Sequence, residues 1–109
     1  MPFKTITVPG GSKDALSVPV DASEYVTWKF KMKSNDIMLS VKFIPADGSP
    51  EIILKPAVKH TPSGGVIGDD YRPEGKGTFQ LVLDSTSIKW FDKVCKYYVA
   101  LKKKDKPLF

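Results

Sequence analysis

The sequence predicts an all-β fold, an antiparallel β-sandwich of the jelly-roll kind. Two observations predict it. About seven short runs alternate apolar with polar residues and are separated by Gly, Pro, Asn, Asp and Ser. No stretch places apolar residues at helical spacing over three turns with capping residues. A chain of 109 residues is long enough to bury one core, so we predict a single domain, 1–109, with two facing sheets.

The strongest alternation lies between Val26 and Phe43, in two runs separated by the turn-forming residues Ser34-Asn35-Asp36. We predict a β-hairpin here, with an apolar inner face and a lysine-rich outer face on its first strand. An antiparallel pair with one wet side needs a second layer over its dry side. The predicted inward residues are Val26, Trp28, Phe30, Met32, Ile37, Leu39, Val41 and Phe43.

Two short strands precede this hairpin. The first is predicted at Thr5 to Val8 and ends at Pro9-Gly10-Gly11, a strong turn signal. The second is predicted at Leu16 to Val20. Proline lacks the backbone donor that a ladder needs, so Pro19 indicates an edge strand.

The second half of the chain is less regular. We predict a strand at Glu51 to Leu54, then a long loop, 56–77, because that segment contains three prolines and five glycines. Strands are predicted at Thr78 to Leu83 and at Val94 to Leu101. Between them, Ile88, Trp90 and Phe91 are expected to pack as a core corner, and the basic residues 102–109 are expected to form a solvated tail.

Charge and cysteine content limit the setting and the partners. The net charge is +5, yet Arg72 is the only arginine among the seventeen basic residues. Nucleic-acid readers favour arginine for its planar fork, so we expect no nucleic-acid partner. Cys95 is the only cysteine and has no partner within the chain for a disulfide. With neither a signal peptide nor a membrane span in the sequence, we expect a cytoplasmic protein.

The residue types do not assemble a reactive site. The lone His60 lies in the predicted loop, and Cys95 lies between apolar neighbours, as a buried small residue would. The acidic group Asp69, Asp70 and Glu74 lacks the alternating oxygen pattern of a calcium loop. The glycines at 64, 65 and 68 are not followed by a helix start. We therefore expect no catalytic residue, no metal, no cofactor and no small-molecule substrate.

The order of motifs resembles that of the GOLD (Golgi dynamics) domain family. The matching residues are Val8-Pro9-Gly10-Gly11-Ser12, Trp28-Lys29-Phe30, Asp36-Ile37, Ser40-Val41-Lys42-Phe43, Gly77 to Ser87 and Lys93-Val94. The chain departs from the family pattern at Ser85, where asparagine is usual, and it lacks the cysteine pair of lumenal members. It is more similar to cytosolic members. The resemblance implies a β-sandwich that binds proteins in membrane traffic, peripheral to the Golgi or other endomembranes.

Two functions from different classes follow. The first is recognition of another protein, at an open sheet edge or through Val66, Ile67, Tyr71 and Arg72 of the predicted loop. The second is binding of an anionic membrane by a basic patch. Its candidate residues are Lys29, Lys31, Lys33, Lys42, Lys102, Lys103 and Lys104. The alternative for these lysines is that they line the wet side of a sheet and keep an edge soluble.

Overall fold

The computed structural model describes residues 3–87 and 90–104. These residues form eight β-strands and one short 3₁₀ turn. The strands are β1 (Lys4–Val8), β2 (Lys13–Val20), β3 (Glu24–Ser34), β4 (Ile37–Pro45), β5 (Ile52–His60), β6 (Ile67–Tyr71), β7 (Gly77–Asp84) and β8 (Lys93–Lys103), and the 3₁₀ turn is Pro62–Gly64.

The strands form two antiparallel four-stranded sheets. The first sheet has the order β1-β8-β3-β6 and the second has the order β2-β7-β4-β5. This is the strand order of a jelly roll, in which the chain alternates between two facing sheets. The predicted all-β sandwich of jelly-roll type is confirmed. The prediction that Pro19 marks an edge strand is also confirmed, because β2 ends the second sheet.

The core lies between the sheets. All eight residues predicted to point inward from β3 and β4 are buried. Strand β7 adds Phe79, and the ring of Trp28 lies 6.4 Å from the Phe79 ring, centroid to centroid. Phe30, Phe43 and Phe79 are wholly buried. Each such side chain contributes roughly 2–3 kcal/mol by leaving water. The contacts between β3 of the first sheet and β4 and β7 of the second sheet therefore contribute much of the stability of the sandwich.

The predicted hairpin between β3 and β4 is wrong. Strand β3 pairs with β8 and β6, whereas β4 pairs with β7 and β5. The connection through Asn35 passes from one sheet to the other. Asn35 has a φ of 64°, a left-handed conformation that asparagine tolerates. Alternation identifies the inward face of a strand but not its neighbour, so the two apolar runs face each other instead of lying side by side.

The predicted loop 56–77 is also wrong in large part. Strand β5 continues through Pro56 to His60, and β6 occupies Ile67–Tyr71. Pro56 is tolerated because β5 is an edge strand whose pairing with β4 shifts register on either side of Val41. A β-carbon at Gly68 would collide with the backbone oxygen of Trp28 on the paired strand. This glycine therefore marks a close approach between strands, not a flexible loop.

The predicted tail begins inside β8, which includes Lys102 and Lys103. The ammonium of Lys104 donates to the backbone oxygens of Ala22 and Pro73. The rest of the predicted tail lies outside the described residues.

Candidate binding surfaces

One side of the sandwich is lined by the two edge strands β5 and β6. Each ends its own sheet, and residues 61–66 connect them. Here Ile52, Val58 and Val66 are 43%, 47% and 52% exposed. Half-buried apolar residues between them pack on the core. We call this surface the β5–β6 side and define it by Ile52, Leu54, Val58, Val66, Ile67 and Tyr71.

The exposure of this side follows from strand lengths. Strand β5 has nine residues and β6 has five. The inner positions of β5 include Ile52, opposite Phe43, and Val58, opposite Leu39. A short β6 leaves part of the inner face of β5 uncovered. Apolar residues that patterning directs inward therefore remain accessible to a partner.

A cavity of about 560 Å³ lies at one end of the β5–β6 side, between the β4–β5 and β6–β7 connections. Phe43, Ile52 and Tyr71 supply its aromatic and aliphatic walls, and the rings of Phe43 and Tyr71 lie 5.3 Å apart. Charged residues on the lining are Asp47, Arg72, Glu74 and Lys76. The volume is within the range of ligand-binding clefts.

The two connections around this cavity are tied together. The Ala46 amide donates to the Lys76 oxygen at 3.0 Å, and the Ser49 amide donates to the Asp47 carboxylate at 2.9 Å. Hydrogen bonding with the Ser49 side chain first, and with the Ser49 amide second, lowers the pKa of Asp47. Burial first, and the charge of Glu74 second, raise the pKa of the Tyr71 phenol. The phenol of Tyr71, a lining residue of the cavity, therefore stays protonated at neutral pH.

The four predicted protein-binding residues divide between two places. Val66, Ile67 and Tyr71 belong to the β5–β6 side, where Ile67 and Tyr71 are half-buried members of a strand and not loop residues. Arg72 lines the cavity, but its guanidinium lies 4.6 Å from the centroid of the Tyr25 ring. It therefore stands at the border between the cavity and the outer face of the first sheet.

The outer face of the first sheet carries cations and tyrosines. The pairing of β3 with β8 sets Lys29 opposite Tyr98, Lys31 opposite Lys96, and Tyr25 opposite Lys102. We call this surface the lysine–tyrosine face and define it by Tyr25, Lys29, Lys31, Lys96, Tyr98 and Lys102. At the outward positions of the four strands in the described part of the chain, the one carboxylate is that of Asp70, which accepts from the Thr27 hydroxyl at 2.8 Å.

The seven predicted anionic-surface lysines do not form one patch. Lys29, Lys31 and Lys102 share the lysine–tyrosine face in the pairing register, and Lys33 is exposed beside it at the bulge between Met32 and Ser34. Lys42 lies on the outer face of the second sheet, where its ammonium is 3.2 Å from the Glu51 carboxylate. Lys103 and Lys104 lie at the end of the sandwich, near Ser23 and Ala22. The prediction of one joint patch is therefore wrong for Lys42, Lys103 and Lys104.

Sequence reasoning missed Lys96 and the two tyrosines of this face. The alternation within β8 places Lys96 and Tyr98 on one side of that strand. Joining them to the lysines of β3 required the pairing of β3 with β8, which is a contact between distant segments. The alternation that directs these side chains outward is present in β3 and in β8 separately, but the sequence does not indicate that the two strands pair.

The predicted core corner at Trp90 and Phe91 is wrong. These side chains are 86% and 62% exposed, and Ile88 lies outside the described residues. The inward position beside Val8 is taken instead by Lys93, which is wholly buried. Its ammonium donates to the Phe91 oxygen.

Cys95 and His60 have environments that suit packing. Cys95 is wholly buried opposite Met32, and burial raises the pKa of its thiol to about 11. The His60 ring lies edge-on to Phe30 at 6.1 Å. Its Nε2 atom is buried, and no described residue bonds to it. Burial first, and the charge of Lys55 second, lower the pKa of His60.

Within 3–87 and 90–104, no three His, Cys, Asp or Glu side chains group so as to hold a metal ion. No helix in the same ranges is long and apolar enough to cross a membrane.

Comparison with known proteins supports the architecture. No protein-family model matches the chain, and no curated protein matches its sequence. Eighteen chains of known structure match its fold. One is a carbohydrate-binding module, CBM4, which is 14% identical in sequence with a TM-score of 0.55, over 95% of this chain and 89% of that one. At this identity the likeness shows a shared β-sandwich fold alone.

Proposed function

We propose that this chain is a noncatalytic module that recognises another protein, and that it does so on the β5–β6 side. The observation that carries this proposal is the group of exposed aliphatic residues beside a ligand-sized cavity, on the side where two edge strands end their sheets. The membrane-trafficking or scaffold setting is a further part of the proposal. It rests on the resemblance to cytosolic GOLD domains.

The shape of this side favours an extended segment as the partner. The outer edge of β5 offers backbone donors and acceptors that an added strand can pair with. Pro56 lies in the middle of this edge strand, and the pairing of β5 with β4 on its inner side shifts register near Val41. Prolines and bulges in an edge strand limit pairing between copies of the chain. Pro56 divides β5 into two parts of four residues each, 52–55 and 57–60, so a partner segment of about four residues fits each part. An adjacent large apolar side chain of the partner would occupy part of the cavity.

The charge of this edge further limits the composition of the partner segment. Lys59 is exposed and Lys55 half-exposed on β5. A segment with an apolar centre and an acidic flank would complement this edge, because opposite charges steer association and suppress wrong partners.

The noncatalytic part of the proposal rests on the environments of the nucleophile and base candidates. Cys95 is wholly buried, and this burial raises the pKa of its thiol so that the thiol stays protonated. A reactive cysteine instead needs thiolate character and access to solvent. The buried Nε2 of His60 faces the core.

Charge insertion on the β5–β6 side tests this function. Wild-type protein, the double variant Val58→Asp/Val66→Asp and the control Leu101→Asp are each used to capture proteins from source cells. Leu101 is also exposed but lies on β8. We expect a partner that the wild type and the control retain and the double variant loses. With that partner purified, calorimetry should show at least about 30-fold weaker binding to the double variant, as for a lost hot spot.

A second candidate function is binding of an anionic membrane surface by the lysine–tyrosine face. The specific observation is that its cations lie on one broad sheet face with a single outward carboxylate among the described positions. Basic residues near an anionic membrane contribute on the order of 1 kcal/mol each. The simpler alternative is that a wet sheet face needs polar side chains.

Matched charge removal separates these alternatives. The variant Lys29→Gln/Lys31→Gln/Lys96→Gln removes three charges from the face, and the control Lys42→Gln/Lys55→Gln/Lys59→Gln removes three from the second sheet. In sedimentation with phosphatidylserine-containing vesicles, we expect the face variant to bind roughly 100-fold more weakly. The control should stay near wild type. If both variants lost vesicle binding equally, the net charge of the protein would explain the binding. That result would contradict a membrane-binding role of the lysine–tyrosine face.

A further inference from the structure

Two large aromatic side chains stand next to each other in solvent at one end of the sandwich. Trp90 is 86% exposed and Phe91 is 62% exposed. We call this pair the aromatic tip. Aromatic side chains bury about 150–250 Å² each in ordinary packing, so leaving both in water gives up a large hydrophobic gain.

The backbone under the aromatic tip is held by two side chains. The buried ammonium of Lys93 donates to the Phe91 oxygen. The amide of Asn35, on the β3–β4 connection, donates to the Asp92 oxygen at 2.9 Å. Consecutive backbone carbonyls are therefore fixed from the core and from a neighbouring connection. The backbone at Phe91 and Asp92 is thus anchored to the folded chain directly beside the exposed rings.

The tip adjoins the lysine–tyrosine face. Lys33, beside that face, precedes Asn35 by two residues, and Ser34 pairs with Val94 directly after the tip connection. Lys31 and Lys96 stand opposite each other two pairs further along the ladder. Asp36 and Asp92 lie at the same end. The cations are thus on the first-sheet side of the tip. When the tip contacts an anionic surface, the sandwich must therefore tilt so that the outer face of the first sheet approaches that surface.

We propose that the aromatic tip inserts into the headgroup region of an anionic lipid bilayer while the adjoining lysines contact the lipid headgroups. This inference rests on the second candidate function and assigns its penetrating element. Trp and Phe favour the boundary between headgroups and acyl chains, and they need no shaped partner there. The lysines add attraction to anionic lipid within a Debye length.

The fluorescence of the two tryptophans reports this insertion separately from binding. Trp28 is 3% exposed in the core, so its emission is insensitive to vesicles. Trp90 is accessible, and its emission is expected to shift to the blue and to be quenched by brominated lipid. The probes are phosphatidylcholine vesicles with and without phosphatidylserine. In the variant Trp90→Phe the vesicle-dependent signal should vanish while sedimentation persists.

Two more variants test affinity and positioning. Trp90→Ala/Phe91→Ala should bind phosphatidylserine vesicles at least about tenfold more weakly, since even partial burial of two aromatic side chains exceeds about 1.4 kcal/mol. Asn35→Gly keeps the backbone φ accessible but removes the bond to Asp92. It should reduce quenching of the intact Trp90.

Each other outcome overturns the inference in a distinguishable way. Salt-sensitive vesicle binding without Trp90 quenching would exclude insertion and leave the lysine–tyrosine face as a membrane surface. No vesicle binding at all would remove both the insertion and the second candidate function. A blue shift of Trp90 with soluble polyglutamate but not with vesicles would assign the tip to an acidic protein segment instead. None of these three outcomes bears on the proposed binding of a protein at the β5–β6 side.

Discussion

The β5–β6 side and the lysine–tyrosine face present opposite chemistry on one sandwich. The first is apolar and concave at one end, and its floor is shared with the core through Phe43. The second is a sheet surface whose lysines project from a backbone that the core already supports. Substitutions on the apolar side should therefore change the free energy of unfolding, whereas substitutions of side chains on the cationic face should change it little. Added salt should weaken binding at the cationic face but not at the apolar side, because salt screens exposed charges and leaves apolar contacts intact.

The largest expected effect comes from removing the floor of the cavity. Phe43→Ala should lower the free energy of unfolding by about 3–5 kcal/mol, because a wholly buried ring is replaced by an enlarged void. Urea denaturation measures this. A loss below about 1 kcal/mol would show that the cavity wall is independent of the core, and the coupling between site and fold would fail.

The next effect tests how β6 is seated. In Gly68→Ala the added β-carbon meets the backbone oxygen of Trp28 and the side chain and α-carbon of Lys29. We expect a loss of about 2 kcal/mol, with increased hydrogen exchange at β6 amides, since overpacking forces backbone shifts. Gly75→Ala is the control because a β-carbon there meets no atom within 4 Å. Similar losses in both would contradict a steric cause.

A smaller effect follows from the lowered pKa of His60. The unfolded chain binds the proton more readily than the folded chain, so stability is complete above the ordinary pKa of about 6.5 and decreases as pH falls through it. Urea midpoints at pH 7.5 and 5.5 should differ more for wild type than for His60→Gln. An equal pH dependence in both proteins would exclude His60 as its source.

The smallest effect lies on the lysine–tyrosine face. Lys31 and Lys96 are directly opposite on neighbouring strands, and like charges in that arrangement are destabilising. The Lys31 ammonium also lies 5.3 Å from the centroid of the Phe3 ring, a favourable contact, so the substitution is made at Lys96. Lys96→Gln should raise the free energy of unfolding by a few tenths of a kcal/mol at low salt, and salt should abolish the gain. Lys33→Gln, without such a partner in the pairing register, is the control. A stabilisation that persists in high salt would have another cause.

The sequence was most informative about which residues point inward. Alternation in β3 and β4 predicted their buried residues, because the period of a strand depends on the local backbone alone. It could not predict that these strands lie in different sheets, since pairing is a property of distant segments. The same limit hid Lys96 and misplaced Lys42.

Composition misled in two places. Proline and glycine in 56–77 predicted a loop, but Pro56 is accommodated at a sheet edge and Gly68 at a close approach to β3. The adjacent aromatics Trp90 and Phe91 predicted a packed corner, but buried Lys93 holds the inward position beside them. A residue's hydrophobicity predicts burial only where the backbone points it inward.

The position of β8 has a consequence for how the protein is made. Strand β8 lies inside the first sheet, between β1 and β3. During synthesis on the ribosome, β1 and β3 must wait for the strand that joins them until residues 93–103 have emerged. Such long-range pairing folds slowly, and the aggregation-prone interval ends only when β8 is inserted.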